Sequence, residues 1–140
     1  MIDAIRLGGR ARSQLISLKR KTGIENWNVL CRWAFALSIN EESRPRNIDQ
    51  PLDGGIEMAW HTFAGEYDEI YEALLIQRCL DDGLDATPAE MNRQLRQHLY
   101  RGIGYLAAGK RIKNIVDLAQ LKTSGVDTDE VATAMPANSV

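Results

Sequence analysis

Two groups of cations are the residues of this chain best suited to chemistry, and the chemistry is anion binding. Arg10, Arg12, Lys19, Arg20 and Lys21 form the first group; Arg96, Arg101, Lys110, Arg111 and Lys113 form the second, with Arg93 joined to it more loosely. Such side chains contact phosphate oxygens without reading bases, and the attraction weakens steeply with salt. Other chemistries lack their residues. The chain has no Gly-rich phosphate loop, CxxC pair, HExxH or nucleophile elbow. His61 and His98 are its two histidines, isolated from each other and a poor basis for a metal site. Glu66, Asp68, Glu69 and Glu72 could hold a divalent cation, but four carboxylates on one helical face more readily stand solvated or face a neighbouring basic block. No nucleophile is paired with a base. The residues therefore give no positive case for an enzyme, and none for a metal or cofactor.

The net charge of −2 conceals a segregation. Residues 1–46 carry nine Lys/Arg against four Asp/Glu, a net of +5. Residues 47–90 carry one against eleven, a net of −10, and residues 91–125 seven against one, a net of +6. The last fifteen residues add −3. Basic blocks flanking an acidic one fit either an anionic partner or mutual pairing of the blocks, within a chain or between chains.

The elements that would position these charges are mostly helices. "AIRL" reads as a short strand or extended arm before Gly8-Gly9. A first helix is expected over Arg12–Thr22, with Leu15 and Leu18 inward. Lys19, Arg20 and Lys21 fall in its last turn, where cations favour the helix dipole, and Gly23 suits the left-handed position after it. Asn26 is a good N-cap for a second helix running to Ile39. Trp27, Leu30, Trp33, Ala34 and Leu37 make one continuous stripe on it, and Val29, Cys31, Phe35, Ala36 and Ile39 are apolar on other sides. Each large apolar side chain left exposed forgoes about 1.5–3 kcal/mol of burial, so this helix must be the centre of the fold, a subunit interface, or both. Self-association through Gly23, Trp27, Leu30, Trp33 and Leu37 is expected.

"NEESRPRNIDQPLDGG" is a polar connection longer than the usual 4–6 residues or so, either functional or an irregular wrap. "IEMAWHTF" alternates as a short extended piece, and an amphipathic helix follows from Glu66 to about Asp82, ending at Gly83. "TPAEMNRQL" is the clearest local signal, a capping box with Thr87 as N-cap, Pro88 at the first helical position and Glu90 at the third. That helix carries Met91, Leu95, Leu99, Ile103 and Leu106, with Gly102 and Gly104 each weakening it by about 1 kcal/mol. A last short helix is expected from Asn114. The fold class is mainly α, a compact domain of about four to five helices with short extended segments, homo-oligomeric. Residues 1–122 form its single domain, and residues 123–140 are an acidic, disordered tail. Cys31 and Cys79 suit reduced core thiols in a cytoplasmic protein, and no apolar run is long enough for a membrane span.

Three blocks, "LKRKTGIENWNVLCRWAFALSINEESRP", "GGIEMAWHTFAGEYDEIYEALL" and "HLYRGIGYLAAGKRIKNIVDL", resemble the DndE family of DNA sulfur-modification proteins over about Leu7–Leu121. The resemblance implies a mainly helical homotetramer that binds DNA through positive surface, nicked duplex preferred. It also implies an accessory place beside other Dnd proteins that exchange a non-bridging backbone oxygen for sulfur. The family's Gly-rich turn corresponds to Gly23 beside Lys19, Arg20 and Lys21.

Other readings remain open on the sequence. The basic blocks could dock protein partners, making the chain a scaffold of the Dnd complex. The order strand, helix, Gly-containing turn, helix is that of a ribbon-helix-helix regulator reading bases from the Arg6 side of the strand. A nicking activity would have to rest on Glu66, Asp68 or Glu69.

Overall fold

The structure, a computed structural model, describes residues 2–48 and 50–109. The expected helix from Asn114 and the acidic tail lie outside the described residues. In order, the elements are β1 (Ala4–Leu7), α1 (Gly9–Thr22), α2 (Trp27–Ile39), β2 (Ile56–Ala59), α3 (Trp60–Ala64), a 3-10 turn (Gly65–Tyr67), α4 (Asp68–Asp81) and α5 (Pro88–Ala108). β1 and β2 pair antiparallel, with Arg6 opposite Glu57 and Leu7 opposite Ile56. No helix among the described residues is long and apolar enough to cross a membrane.

The helix ends follow their residues. Gly23 closes α1 at φ 75°, its N–H donating to the Lys19 carbonyl at 3.0 Å, the left-handed stop that glycine adopts most easily. Thr87 caps α5 by accepting from the Glu90 N–H at 3.2 Å. Only half of the expected capping box forms, because the Glu90 carboxylate turns to Arg93 at 3.1 Å and Gln94 at 3.0 Å. Those donors hold its pKa below the ordinary glutamate value. Asn26 does stand at the N-cap of α2, but its side chain makes no capping bond. α1 starts at Gly9, three residues earlier than the periodicity indicates, and the extended "IEMA" ends where Trp60 opens α3.

α5 runs through the molecule, packing most extensively on α2 and also on α1, α4 and β1. The core gathers Leu7, Leu15, Leu18, Leu30, Phe35, Phe63, Tyr71, Leu75, Leu95, Leu99, Ile103 and Leu106. Phe35 meets Phe63 and Tyr71 edge-on at 5.9 and 5.7 Å between ring centroids, an arrangement aromatic pairs favour. Cys31 and Cys79 are buried free thiols, and burial pushes Cys31 up to about 12.

The near-uniform apolarity of α2 has its explanation inside one chain. Leu30, Cys31, Ala34, Phe35 and Ser38 are buried, while Trp27, Trp33 and Leu37 pack half-buried at the margin of the core. Even Arg32 is drawn in, at 2% exposure. Its Nε donates to the Phe63 carbonyl at 2.5 Å and its Nη2 to that of Thr62 at 3.3 Å, which fastens α3 across α2. The helix is central to the fold, so its composition does not by itself require a second copy.

Gly102 also reads differently in place. A Cβ there would lie 1.9 Å from the Ala34 carbonyl oxygen, so this glycine is what lets α5 approach the α2 backbone, and it is not merely a weak spot. At Gly104 a Cβ would meet nothing within 4 Å. Gly102→Ala should therefore destabilise by about 1–3 kcal/mol or more, whereas Gly104→Ala should stabilise by about 0.5–1 kcal/mol. Chemical denaturation of the two variants checks this, and equal effects would contradict the close approach.

Candidate nucleic-acid interface

The cations of the chain divide into those used within the fold and those displayed on it. Among the described residues four ion pairs form: Arg6–Glu57, Arg78–Asp82, Arg93–Glu90 and Arg101–Glu41. None of these pairs involves Arg10, Arg12, Lys19, Arg20, Lys21, Arg44, Arg46 or Arg96. Arg6–Glu57 and Arg93–Glu90 each join a basic block to the acidic one, so within the described chain the blocks neutralise each other only in part. Among the described residues no three His, Cys, Asp or Glu side chains gather into a group that could hold a metal ion.

Three of the displayed arginines, Arg10, Arg44 and Arg46, converge on a groove of about 550 Å³ between α1, α5 and the connection after α2. Arg10 and Gln14 come from successive turns of α1, Tyr100, Arg101, Gly104 and Tyr105 from α5, and Ser43, Arg44, Arg46, Ile48 and Gln50 from the connection. Four of these lining residues are arginines and none is acidic. Arg10, Arg44 and Arg46 are exposed, and Pro45 between the last two is buried. The Gly8 N–H donates to the buried Tyr100 hydroxyl at 3.1 Å, and this fixes the start of α1, two residues before Arg10, against α5.

The second sequence group disperses. Arg101 belongs to the wall of the groove, but its guanidinium is already engaged. Nε donates to Ser38 Oγ at 2.8 Å, Nη2 to the Ser38 carbonyl at 2.6 Å and Nη1 to the Ser43 carbonyl at 2.9 Å, with Glu41 at 3.4 Å. Burial lowers its pKa and the nearby Glu41 opposes that shift. Arg101, expected as a DNA contact, thus also serves as a cap on the carbonyl end of α2. Arg96 lines a separate cleft of about 290 Å³ with Asp3, Arg6 and Asn92. Lys110, Arg111 and Lys113 lie outside the described residues, following directly on Gly109 in sequence.

The first group holds together better. Arg12 sits one turn from Arg10's end of α1, its guanidinium 5.9 Å from the centre of the Trp27 ring. Lys19, Arg20 and Lys21 are exposed in the last turn of the same helix. Gly23, which closes that turn, is exposed with open space around it. Arg44 and Arg46 belong to neither sequence group, yet both line the groove. Their signal lay in "SRPRN", where two arginines alternate with a proline inside an overlong polar connection.

Beneath the groove, His98 is fully buried between Arg78 and Arg101, its Nδ1 2.8 Å from Ser38 Oγ. Burial, reinforced by the two arginine charges, pushes His98 down to about 3. The folded pKa is below the unfolded value, so this group's contribution is fully present above about pH 6.5 and is lost as pH falls toward 3. Stability should drop across that window by about 1.4 kcal/mol per pH unit from this residue. His98→Gln should flatten that part of the profile in thermal melts; an unaltered acid slope would contradict the buried neutral imidazole.

Residues 4–114 match the family described as DNA sulphur modification protein DndE. The chain belongs to the DndE family. The crystal structure of DndE from Escherichia coli B7A, involved in DNA phosphorothioation modification, is similar to this chain at 26% identity and a TM-score of 0.61. The similarity covers 76% of this chain and 99% of that one. Among curated proteins nothing matches the chain.

Proposed function

We propose that this chain is an accessory DNA-holding subunit of DNA phosphorothioate modification, gripping the phosphates of a duplex along the arginine groove. The observation that carries the reading is the groove itself, lined by Arg10, Arg44, Arg46 and Arg101 with no acidic side chain among its described lining residues, in a member of a DNA sulphur modification family. A duplex presents about one negative charge per 1.7 Å of its axis, so closely set cations are matched by closely set phosphates. Along α1 the rise is about 1.5 Å per residue, which puts Lys19 some 14 Å beyond Arg10. Lys21, about three turns on from Arg10, shares its face of α1 and extends the groove's cationic surface, while Arg12, Lys19 and Arg20 add charge on other sides of the helix and Arg96 supplies a more remote contact on the far cleft. Membership of a DNA sulphur modification family makes a base-reading regulator the weaker account.

Nicked duplex would be preferred because a discontinuous strand bends into a concave surface at lower cost. The chain acts as a homotetramer, which multiplies the groove, with the half-buried Trp33 and Leu37 at the contact and other Dnd proteins alongside. Trp27 and Leu30 support that contact from within the helix. Arg44→Gln with Arg46→Gln should reduce the slope of log affinity against log salt by about 1.8, roughly 0.9 for each phosphate contact removed. Fluorescence anisotropy with nicked and intact duplexes across a salt series measures it. Unchanged affinity and slope would remove the groove as the DNA site and favour docking of protein partners. Sizing the same preparations tests the tetramer, which a single chain at high concentration would contradict.

A further inference from the structure

Arg44 and Arg46 are carried by a connection with no helix or strand of its own, yet three side chains from α4 and α5 hold it at both ends. At the near end the Ser43 carbonyl accepts from Arg78 Nη2 at 2.5 Å and from Arg101 Nη1 at 2.9 Å. Arg78 also donates to the carbonyls of Ile39 and Glu42, at 2.8 and 3.2 Å. At the far end Gln97 closes a two-bond ring on Ile48. Its Oε1 accepts from the Ile48 N–H at 2.6 Å and its Nε2 donates to the Ile48 carbonyl at 3.0 Å.

Gln97 is a neutral side chain, 2% exposed, on the third turn of a helix whose other buried faces are mostly apolar. A buried amide of this kind is unfavourable unless its hydrogen bonds are made, and here they are made to the backbone of an exposed residue. Between the two anchors Pro45 turns inward. Successive side chains of an extended segment point to opposite sides, so an inward Pro45 leaves both Arg44 and Arg46 facing out.

We propose that Gln97, together with Arg78 and Arg101, is a positioning residue of the groove: its ring with Ile48 fixes the segment that presents Arg44 and Arg46 to a polyanion. The inference rests on the groove being the DNA site. A loosened segment would keep its two charges but would have to be ordered at each binding event, and that ordering opposes binding. Gln97→Leu is suited to the test because it changes no charge.

The experiment is a cycle on the full chain, measuring affinity for a nicked duplex at fixed salt with a thermal melt of each variant as control. Gln97→Leu should weaken binding by about 3–10-fold in the parent chain and should add nothing in the Arg44→Gln, Arg46→Gln background, the signature of coupled residues. A neutral variant that weakens binding equally in both backgrounds, or not at all, overturns the positioning role. If the Arg44→Gln, Arg46→Gln chain binds as the parent does, the groove reading itself fails, a distinct result. Should Gln97→Leu not fold, Arg101→Lys takes its place in the cycle, keeping the charge while giving up the forked donors on Ser38 and Ser43, with the same two outcomes deciding.

Discussion

A helix leaves its last carbonyls without partners of its own, and at the end of α2 this happens in the interior of a small protein. Two guanidinium groups meet the need. Arg101 donates to the Ser38 carbonyl and Arg78 to that of Ile39, and both continue to the Ser43 carbonyl. The arrangement suits the negative end of the helix dipole. Asp82 balances Arg78 from 3.1 Å, with both side chains only 9% exposed. Removing either member of such a buried pair typically costs about 3–5 kcal/mol. The path of the connection after α2 and the place of Arg44 and Arg46 depend on these two arginines, whose charges also reinforce the effect of burial in keeping His98 neutral.

Cations in this fold therefore have two occupations that look the same in the sequence. Arg32, Arg78 and Arg101 satisfy carbonyl groups in the interior. Arg10, Arg44 and Arg46 stand on the surface around one groove. An internal arginine next to an exposed one also sets its electrostatic surroundings, since a guanidinium already bonded to several carbonyls is a fixed wall charge. The guanidinium groups exposed and outside any ion pair among the described residues are those of its neighbours. Membership of the DndE family gives such a surface its context in DNA sulphur modification.

Much of the framework was legible. The strand at Ala4–Leu7, the left-handed stop at Gly23 and the Thr87 cap follow from short-range chemistry, in which the deciding neighbours are a few residues away. What the sequence hid was decided over long separations. Gly102 is explained only by Ala34, Gln97 only by Ile48, and Arg101 only by Ser38 and Ser43. Periodicity placed Trp27, Trp33 and Leu37 on the inner stripe of α2, but packing on α5 turned Cys31, Phe35 and Ser38 inward and left those three at the margin. A helix apolar on every side offers no polar face to fix its rotation. Grouping cations by sequence proximity likewise joined Arg96 to Arg101, although the fold sends them to separate clefts.

The division between internal and displayed arginines is open to direct observation through their side-chain Nε–H resonances. Titrating the full chain with a short nicked duplex while recording these signals by nitrogen-15 NMR should move those of Arg10, Arg44 and Arg46. The signals of Arg32, Arg78 and Arg101 should keep the positions set by their carbonyl and carboxylate partners. Binding that shifts Arg78 and Arg101 while leaving Arg44 and Arg46 where they were would contradict the assignment.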